Sequence, residues 1–155
     1  MSILKVDTIN EKTSGNGVHI AGHVIQVVNG SLATGVTNAT TTYADTGVTA
    51  TITPKFATSK ILVNVSIMGV ENAVASSGVF LKLLRGSTDL SEWAKYVGYT
   101  RTFMSQHPNT SYLDSPSTTS ATVYKVQFKR SSGSGTSNVN SNSSTSSMTL
   151  MEIAQ

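Results

Sequence analysis

From residue 48 onward apolar and polar side chains alternate with a period of two. Val48, Ala50 and Ile52 stand against Thr49, Thr51 and Thr53, and Pro54 closes that run. In residues 60–70, Ile61, Val63, Val65 and Ile67 form one face, with Asn64 and Ser66 on the other. Residues 78–86 are apolar on both faces except at Lys82, and residues 121–129 set Tyr124, Val126 and Phe128 against Lys125, Gln127 and Lys129. A last run, residues 147–154, ends the chain. Each is rich in the β-branched and aromatic residues that suit a pleated, half-buried surface, so each predicts a strand.

Outside these runs the pattern is weaker. Residues 1–30 hold short apolar stretches broken by Gly and Asn. Ile3, Lys5, Asp7 and Ile9 share one parity and Leu4, Val6 and Thr8 the other, which gives no clean buried face. The SGNG at 14–17 reads as a turn. Residues 31–47 are small and polar and read as a linker leading into a first strand. Residues 131–147 have almost no apolar content and predict a long mobile hairpin loop. One stretch hints at helix: Asp89 and Glu92 have capping-box spacing, Leu90, Trp93, Ala94 and Val97 share a face, and Gly98 offers a stop. Two readings of residues 87–100 stand, a short helix or an irregular loop holding Trp93.

Short strands joined by Gly-, Ser- and Asn-rich turns predict an all-β fold, an antiparallel β-sandwich or jelly roll. The predicted organisation is an extended N-terminal arm over 1–30, a linker and first strand over 31–47, and a sandwich head over 48–155. Phe80, Leu84, Leu62 and Met68 lie opposite the faces assigned to the core. Apolar surface of that extent predicts burial against another subunit.

Composition sharpens this picture. Leu, Ile, Val and Phe make up 37 of the 155 residues, enough for one core. Ser and Thr supply 45, while charged residues are only 12%, so the predicted surface is neutral and rich in hydroxyls. With no Cys there is no disulfide, thiol nucleophile or thiolate zinc site. No apolar run has membrane-spanning length, and Lys5 and Asp7 fall where a signal peptide needs apolar residues, which predicts a product made in the cytoplasm without membrane insertion. The 11 Lys and Arg are scattered, with Lys129–Arg130 the one adjacent pair, a poor match to a nucleic-acid surface.

Three segments carry a resemblance: LKVDTINEKTSGNGVHIAGHVIQVV near the start, YLDSPSTTSATVYKVQFKR from Tyr112 to Arg130, and the terminal SSMTLMEIA. In that order they resemble small fibre, spike and decoration proteins of tailed bacteriophages of marine bacteria and cyanobacteria. The resemblance implies a head like those of the C1q and tumour-necrosis-factor trimers, a homotrimer, and an arm that attaches it to the particle. Leu4, Val6, Ile9, Val18 and Ile20 would make that attachment. It implies a non-enzymatic virion protein displayed on the particle surface and assembled in the host cytoplasm. Its partners would be its own copies, other virion proteins of tail or capsid, and a host-surface glycan or protein. Short tail fibre or spike and capsid decoration both fit. No heptad or collagen-like shaft is present, and about 30 residues at roughly 3.3 Å each reach at most about 100 Å.

Candidate chemistry is sparse, and no cofactor or metal is expected. His19 and His23, four apart on a strand, would lie about 13 Å from each other, too far to share one ion. His107 reads as a loop residue. Glycan cleavage needs two carboxylates roughly 5–9 Å apart. Asp89 and Glu92 beside Trp93 are the pair to examine, and helix capping explains them equally well. Neither a G-x-S-x-G nor a phosphate-cradling glycine motif occurs. For host contact the candidates are Trp93, Tyr96, Tyr99, Arg101 and Tyr112, since aromatic and Arg side chains dominate binding hot spots. The alternative is that these rings plug the ends of the sandwich.

Overall fold

The computed structural model describes residues 6–11, 15, 17–99 and 105–155. Eleven strands form among them: β1 (Val24–Leu32), β2 (Val36–Asn38), β3 (Ala44–Ile52), β4 (Lys60–Ser66), β5 (Glu71–Asn72), β6 (Val79–Arg85), β7 (Thr88–Val97), β8 (Asn109–Asp114), β9 (Thr122–Arg130), β10 (Ser137–Val139) and β11 (Ser146–Ile153). They build two four-stranded antiparallel sheets, ordered β1-β11-β4-β8 and β3-β9-β6-β7, with a small sheet β2-β10-β5 at one end. The chain passes repeatedly from one large sheet to the other, as in a jelly roll. The expected all-β antiparallel sandwich is the observed fold.

The period-two runs explain the core. One face of each strand is apolar, and the two inner faces interdigitate. Val48, Ala50 and Ile52 of β3, Tyr124, Val126 and Phe128 of β9, and Leu81 and Leu83 of β6 come from one sheet; Ile61, Val63 and Val65 of β4 and Met148 and Leu150 of β11 come from the other. A clasp ties the sheets at the β8 end. Asp114 accepts hydrogen bonds from Arg85 Nη1 at 2.7 and 2.9 Å and from the Tyr124 hydroxyl at 2.6 Å. A second tie is Glu152. Its side chain is buried and accepts from Gln26 Nε2 (2.5 Å) and from the N–H groups of Lys55 (2.8 Å) and Phe56 (3.2 Å). The loop after Pro54 is thereby held to β11. β1 closes onto β3 where Gly30 leaves room, for a Cβ there would sit 2.0 Å from the Thr49 carbonyl oxygen.

Several expectations are corrected. Residues 88–97 are neither helix nor irregular loop but β7, paired with β6 through three register shifts. The shifts break the alternation and leave a spacing that mimics an amphipathic helix. The expected loop at 131–147 contains β10, which bridges β2 and β5, followed by a 3₁₀ turn at Ser141–Ser143. Ser137, Val139 and Asn140 are buried there. Small hydroxyl and amide side chains can be buried because backbone carbonyls and neighbouring side chains satisfy them: Asn140 Nδ2 donates to the carbonyls of Leu32 and Thr34, and the Ser137 hydroxyl to Asn72 Oδ1. Residues 24–30 lie in β1 of the sandwich, and residues 36–38 and 44–47 belong to β2 and β3. The described residues from 6 to 23 form no strand. Leu84 is buried within the chain, whereas Phe80, Leu62 and Met68 are half-buried.

Candidate functional site

The two large sheets turn very different outer faces outward. Cross-strand partners share a face, so the pairing register reads these surfaces row by row. On β1-β11-β4-β8, one row is Val24, Ile153 and Lys60 and the next is Val27, Met151, Leu62 and Leu113. Two polar rows follow: Asn29, Thr149, Asn64 and Ser111, then Ser31, Ser147, Ser66 and Asn109. Asn29 donates to the Thr149 hydroxyl at 3.0 Å and Ser111 to Asn64 at 2.7 Å. A shallow open depression of about 420 Å³ lies over the polar rows. Val24, Val27 and Leu113 are each about half exposed. Among these rows Lys60, at the margin, is the one ionisable residue.

The outer face of β3-β9-β6-β7 is charged, and three of its lysines are matched to carboxylates. Lys125 meets Asp45 at 3.0 Å, Lys82 meets Asp89 at 2.9 Å, and Lys95 meets Glu92 at 3.3 Å. Partial burial works against the charge on Asp45, but hydrogen bonds from Gln127 and Lys125, with the Lys125 charge, outweigh it and hold this carboxyl below the usual range. The hydrogen bond from Tyr43, assisted by Lys95 and the Lys129 charge, holds Glu92 low despite some desolvation. Tyr43 is pushed up, chiefly by burial and then by its 2.5 Å bond to Glu92. Lys82 and Lys129 both stand over the Tyr43 ring, at 4.4 and 4.6 Å.

Next to this cluster the rings of Phe80, Tyr96 and Tyr99 form an edge-to-face series, with centroids 4.8 and 5.4 Å apart. Tyr96 and Tyr99 of the expected host-contact residues are therefore neighbours at the surface, 55% and 41% exposed. Trp93 packs against the core instead, with its Nε1 buried and unpartnered among the described residues. Tyr112 faces inward opposite Val63. Arg101 lies outside the described residues. Phe80, Lys129 and Tyr43 belong with this group but escape the sequence reading, although the outward parity of Lys129 on its strand is visible there.

Of the expected attachment residues, Leu4 lies outside the described residues. Val6 and Ile9 are 50% and 58% exposed, Ile20 is 38% exposed and Val18 is half-buried. Glu11 folds back to accept from the N–H groups of Gly15 and Gly17. His19 packs edge-on against Phe56 at 4.8 Å, and Gly22 and His23 exchange backbone hydrogen bonds with Ala154. His107 Nδ1 accepts from the Gly69 N–H. No group of three or more His, Asp or Glu side chains with metal-binding geometry occurs among the described residues. Asp89 is occupied by Lys82, and Glu92 by Tyr43 and Lys95. A glycosidase acid needs a carboxyl pushed upward, and Glu92 moves the opposite way. Among the described residues no helix is long and apolar enough to cross a membrane.

No protein-family model matches the chain, and no curated protein does. Solved structures do. The chain is similar to the VP2 subviral particle of infectious bursal disease virus, with a TM-score of 0.56 and 12% identity over 83% of this chain and 32% of that one. It is also similar to the structure of the Gx strain of that virus, with a TM-score of 0.54 and 12% identity over 86% and 33%. At such identity the likeness is one of fold. The chain spans about a third of the length of these viral proteins.

Proposed function

We propose that the chain is a non-enzymatic structural component of a tailed-phage virion, working as a homotrimer displayed at the particle surface. The observation that carries this reading is the contrast between the outer faces. Apart from Lys129, the lysines on β3-β9-β6-β7 are matched to carboxylates, and the face is wetted, as suits a surface facing water. The face of β1-β11-β4-β8 offers aliphatic rows beside uncharged hydroxyls and amides, a composition depleted of charge in the manner of the buried centre of an interface. Copies of the chain associate there. Closure about a symmetry axis removes that face from water without leaving an open end. Residues 6–20, which add no strand to the sandwich, supply the attachment to the rest of the particle, with Val6 and Ile9 as its exposed apolar contacts.

Within this role the short fibre or spike, in contact with the host surface, is the leading reading, because the aromatic and charged face then points away from the trimer. Capsid decoration is the second reading, favoured by the likeness in fold to the VP2 subviral particle of infectious bursal disease virus.

Immunogold labelling of particles from the encoding virus tests both readings. Label at the tail is expected, label spread over the head supports decoration, and particles free of label contradict the proposal. Deleting residues 2–16 leaves the His19–Phe56 contact and β1 intact; the shortened chain is expected to self-associate yet fail to join particles. Normal incorporation would contradict the role given to the arm.

A further inference from the structure

The outer face of β3-β9-β6-β7 holds more than a wetted surface requires. Tyr124 and Phe128 are fully buried. Tyr96 and Tyr99 instead present their rings to solvent, and they are held in place. Tyr96 lies edge-on to Phe80 and Tyr99 at interplanar angles of 79° and 89°. The Tyr99 N–H donates to the Tyr96 carbonyl at 3.2 Å, and its own carbonyl accepts from Ser76 at 2.8 Å.

The backbone at Tyr96 is strained. Its φ is +57°, a left-handed conformation that Gly or Asn adopts far more readily. Gly78 makes room for it, since a Cβ at residue 78 would lie 2.5 Å from the Tyr96 Cα. A strained residue whose exposed ring contributes little to the core is a mark of function, because the fold alone would be served better by Gly.

The charge beside the rings is also distinctive. Lys82, Lys95 and Lys125 each have a carboxylate partner. Lys129 has none within ion-pair distance among the described residues; its ammonium stands over the rings of Phe80 at 5.3 Å and Tyr43 at 4.6 Å. Centre to centre, the series Tyr99, Tyr96, Phe80, Lys129, Tyr43 runs in steps of 4.6 to 5.4 Å. Exposed aromatic rings beside an ammonium without a carboxylate partner among the described residues complement a chain of sugar rings, each with an apolar C–H face, that carries carboxylates.

We propose that Tyr96, Tyr99 and Lys129 form a binding site for an acidic polysaccharide, with pyranose rings stacking on the tyrosines and a uronate carboxylate meeting Lys129. The inference rests on the reading of the chain as a surface-displayed virion part and names the partner that this face takes. Asp89 and Glu92 are each already paired with a lysine, so the charge left unmatched on this face among the described residues is the Lys129 ammonium. Laying the apolar face of a pyranose on an aromatic ring buries apolar area without demanding one sequence of units, which suits a polymer of repeated sugars.

Affinity electrophoresis of the full chain in gels containing polygalacturonate or dextran tests the proposal. The wild type is expected to be retarded by polygalacturonate at least tenfold more strongly than by neutral dextran, with the effect weakening as salt rises. Tyr96→Gly removes the ring while relieving the left-handed backbone, so its thermal midpoint is expected within a few degrees of wild type. Its retardation is expected to fall at least tenfold. Tyr96→Asn, a second residue tolerant of positive φ, serves the same purpose should the Gly variant unfold. Lys129→Gln is expected to lose most of the salt-sensitive part. Absence of retardation by polygalacturonate, equal retardation by both polymers, or undiminished retardation of the folded Tyr96 and Lys129 variants would each overturn the proposal. These variants retain the arm and the opposite sheet face, so incorporation into particles is scored separately: particles that carry a non-binding wild-type chain sink this inference alone, and a binding chain missing from particles sinks only the virion role.

Discussion

Replacing Asp114 by Asn perturbs an ionic contact that crosses between the two large sheets near the core. Asp114 is 6% exposed, and its carboxylate accepts from both Arg85 Nη1 and the Tyr124 hydroxyl. Asn keeps the shape but removes the charge, so Arg85 is left without its counterion. Removing one partner of a fully buried pair costs about 3–5 kcal/mol. Water reaches the Arg85 side chain, which is 27% exposed, and that lowers the expected loss to about 2–3 kcal/mol. For a domain of this length that corresponds to a fall in Tm of roughly 5–10 °C. Thermal unfolding followed by circular dichroism, at one fixed protein concentration because self-association raises apparent stability, measures it. Tyr124→Phe removes only the hydroxyl and is expected to cost about 1–2 kcal/mol. Since both changes act on the same carboxylate, the double variant is expected to depart from additivity by about 1 kcal/mol. A fall of less than about 2 °C for Asp114→Asn, or strict additivity, would refute the clasp.

Other outcomes follow from the same contacts. Asp45 and Glu92 ionise below their ordinary values in the fold, so the stability they contribute is present above about pH 4.5 and is lost as pH falls through the folded values; Asp45→Asn combined with Glu92→Gln is expected to flatten the acid limb of a stability–pH profile. Gly30→Ala drives a methyl group into the Thr49 carbonyl and is expected to cost about 3 kcal/mol or more in urea unfolding. Glu152→Ala strands the Lys55 and Phe56 N–H groups and is expected to cost about 3 kcal/mol, with Glu152→Gln costing less because it keeps an acceptor oxygen; equal losses would show that the acceptor contributes nothing once the charge is gone.

How much of this was legible in the sequence depended on whether an element keeps its period. β3, β4 and β9 alternate cleanly, β6 and β11 are short runs rich in strand-forming residues, and all five were readable, as was the class of fold they build. β7 was not, because its register shifts against β6 disturb the alternation. β10 was hidden for another reason. Ser137 and Asn140 look like loop residues, yet their hydrogen bonds to Asn72, Leu32 and Thr34 allow them to be buried. β1 and β8 are edge strands whose outer residues mix Asn, Ser, Val and Leu, so neither face stands out until the register aligns them into rows.

The candidate site was legible only in part. Tyr96 and Tyr99 stood out by type, but nothing in their spacing separates them from Trp93 and Tyr112, which the fold turns toward the core. Lys129 and Tyr43 are 86 residues apart in sequence, and only the pairing of β3 with β9 brings their neighbourhoods together.

Sedimentation equilibrium of the full chain beside Leu62→Glu and Thr51→Glu measures the central claim most directly. Leu62 sits in the aliphatic row of β1-β11-β4-β8, and Thr51 lies exposed on the opposite sheet. The account predicts a species of about three times 16.3 kDa for the wild type and for Thr51→Glu, and a folded monomer for Leu62→Glu. A wild-type monomer, or a Leu62→Glu protein that associates as the wild type does, would contradict it.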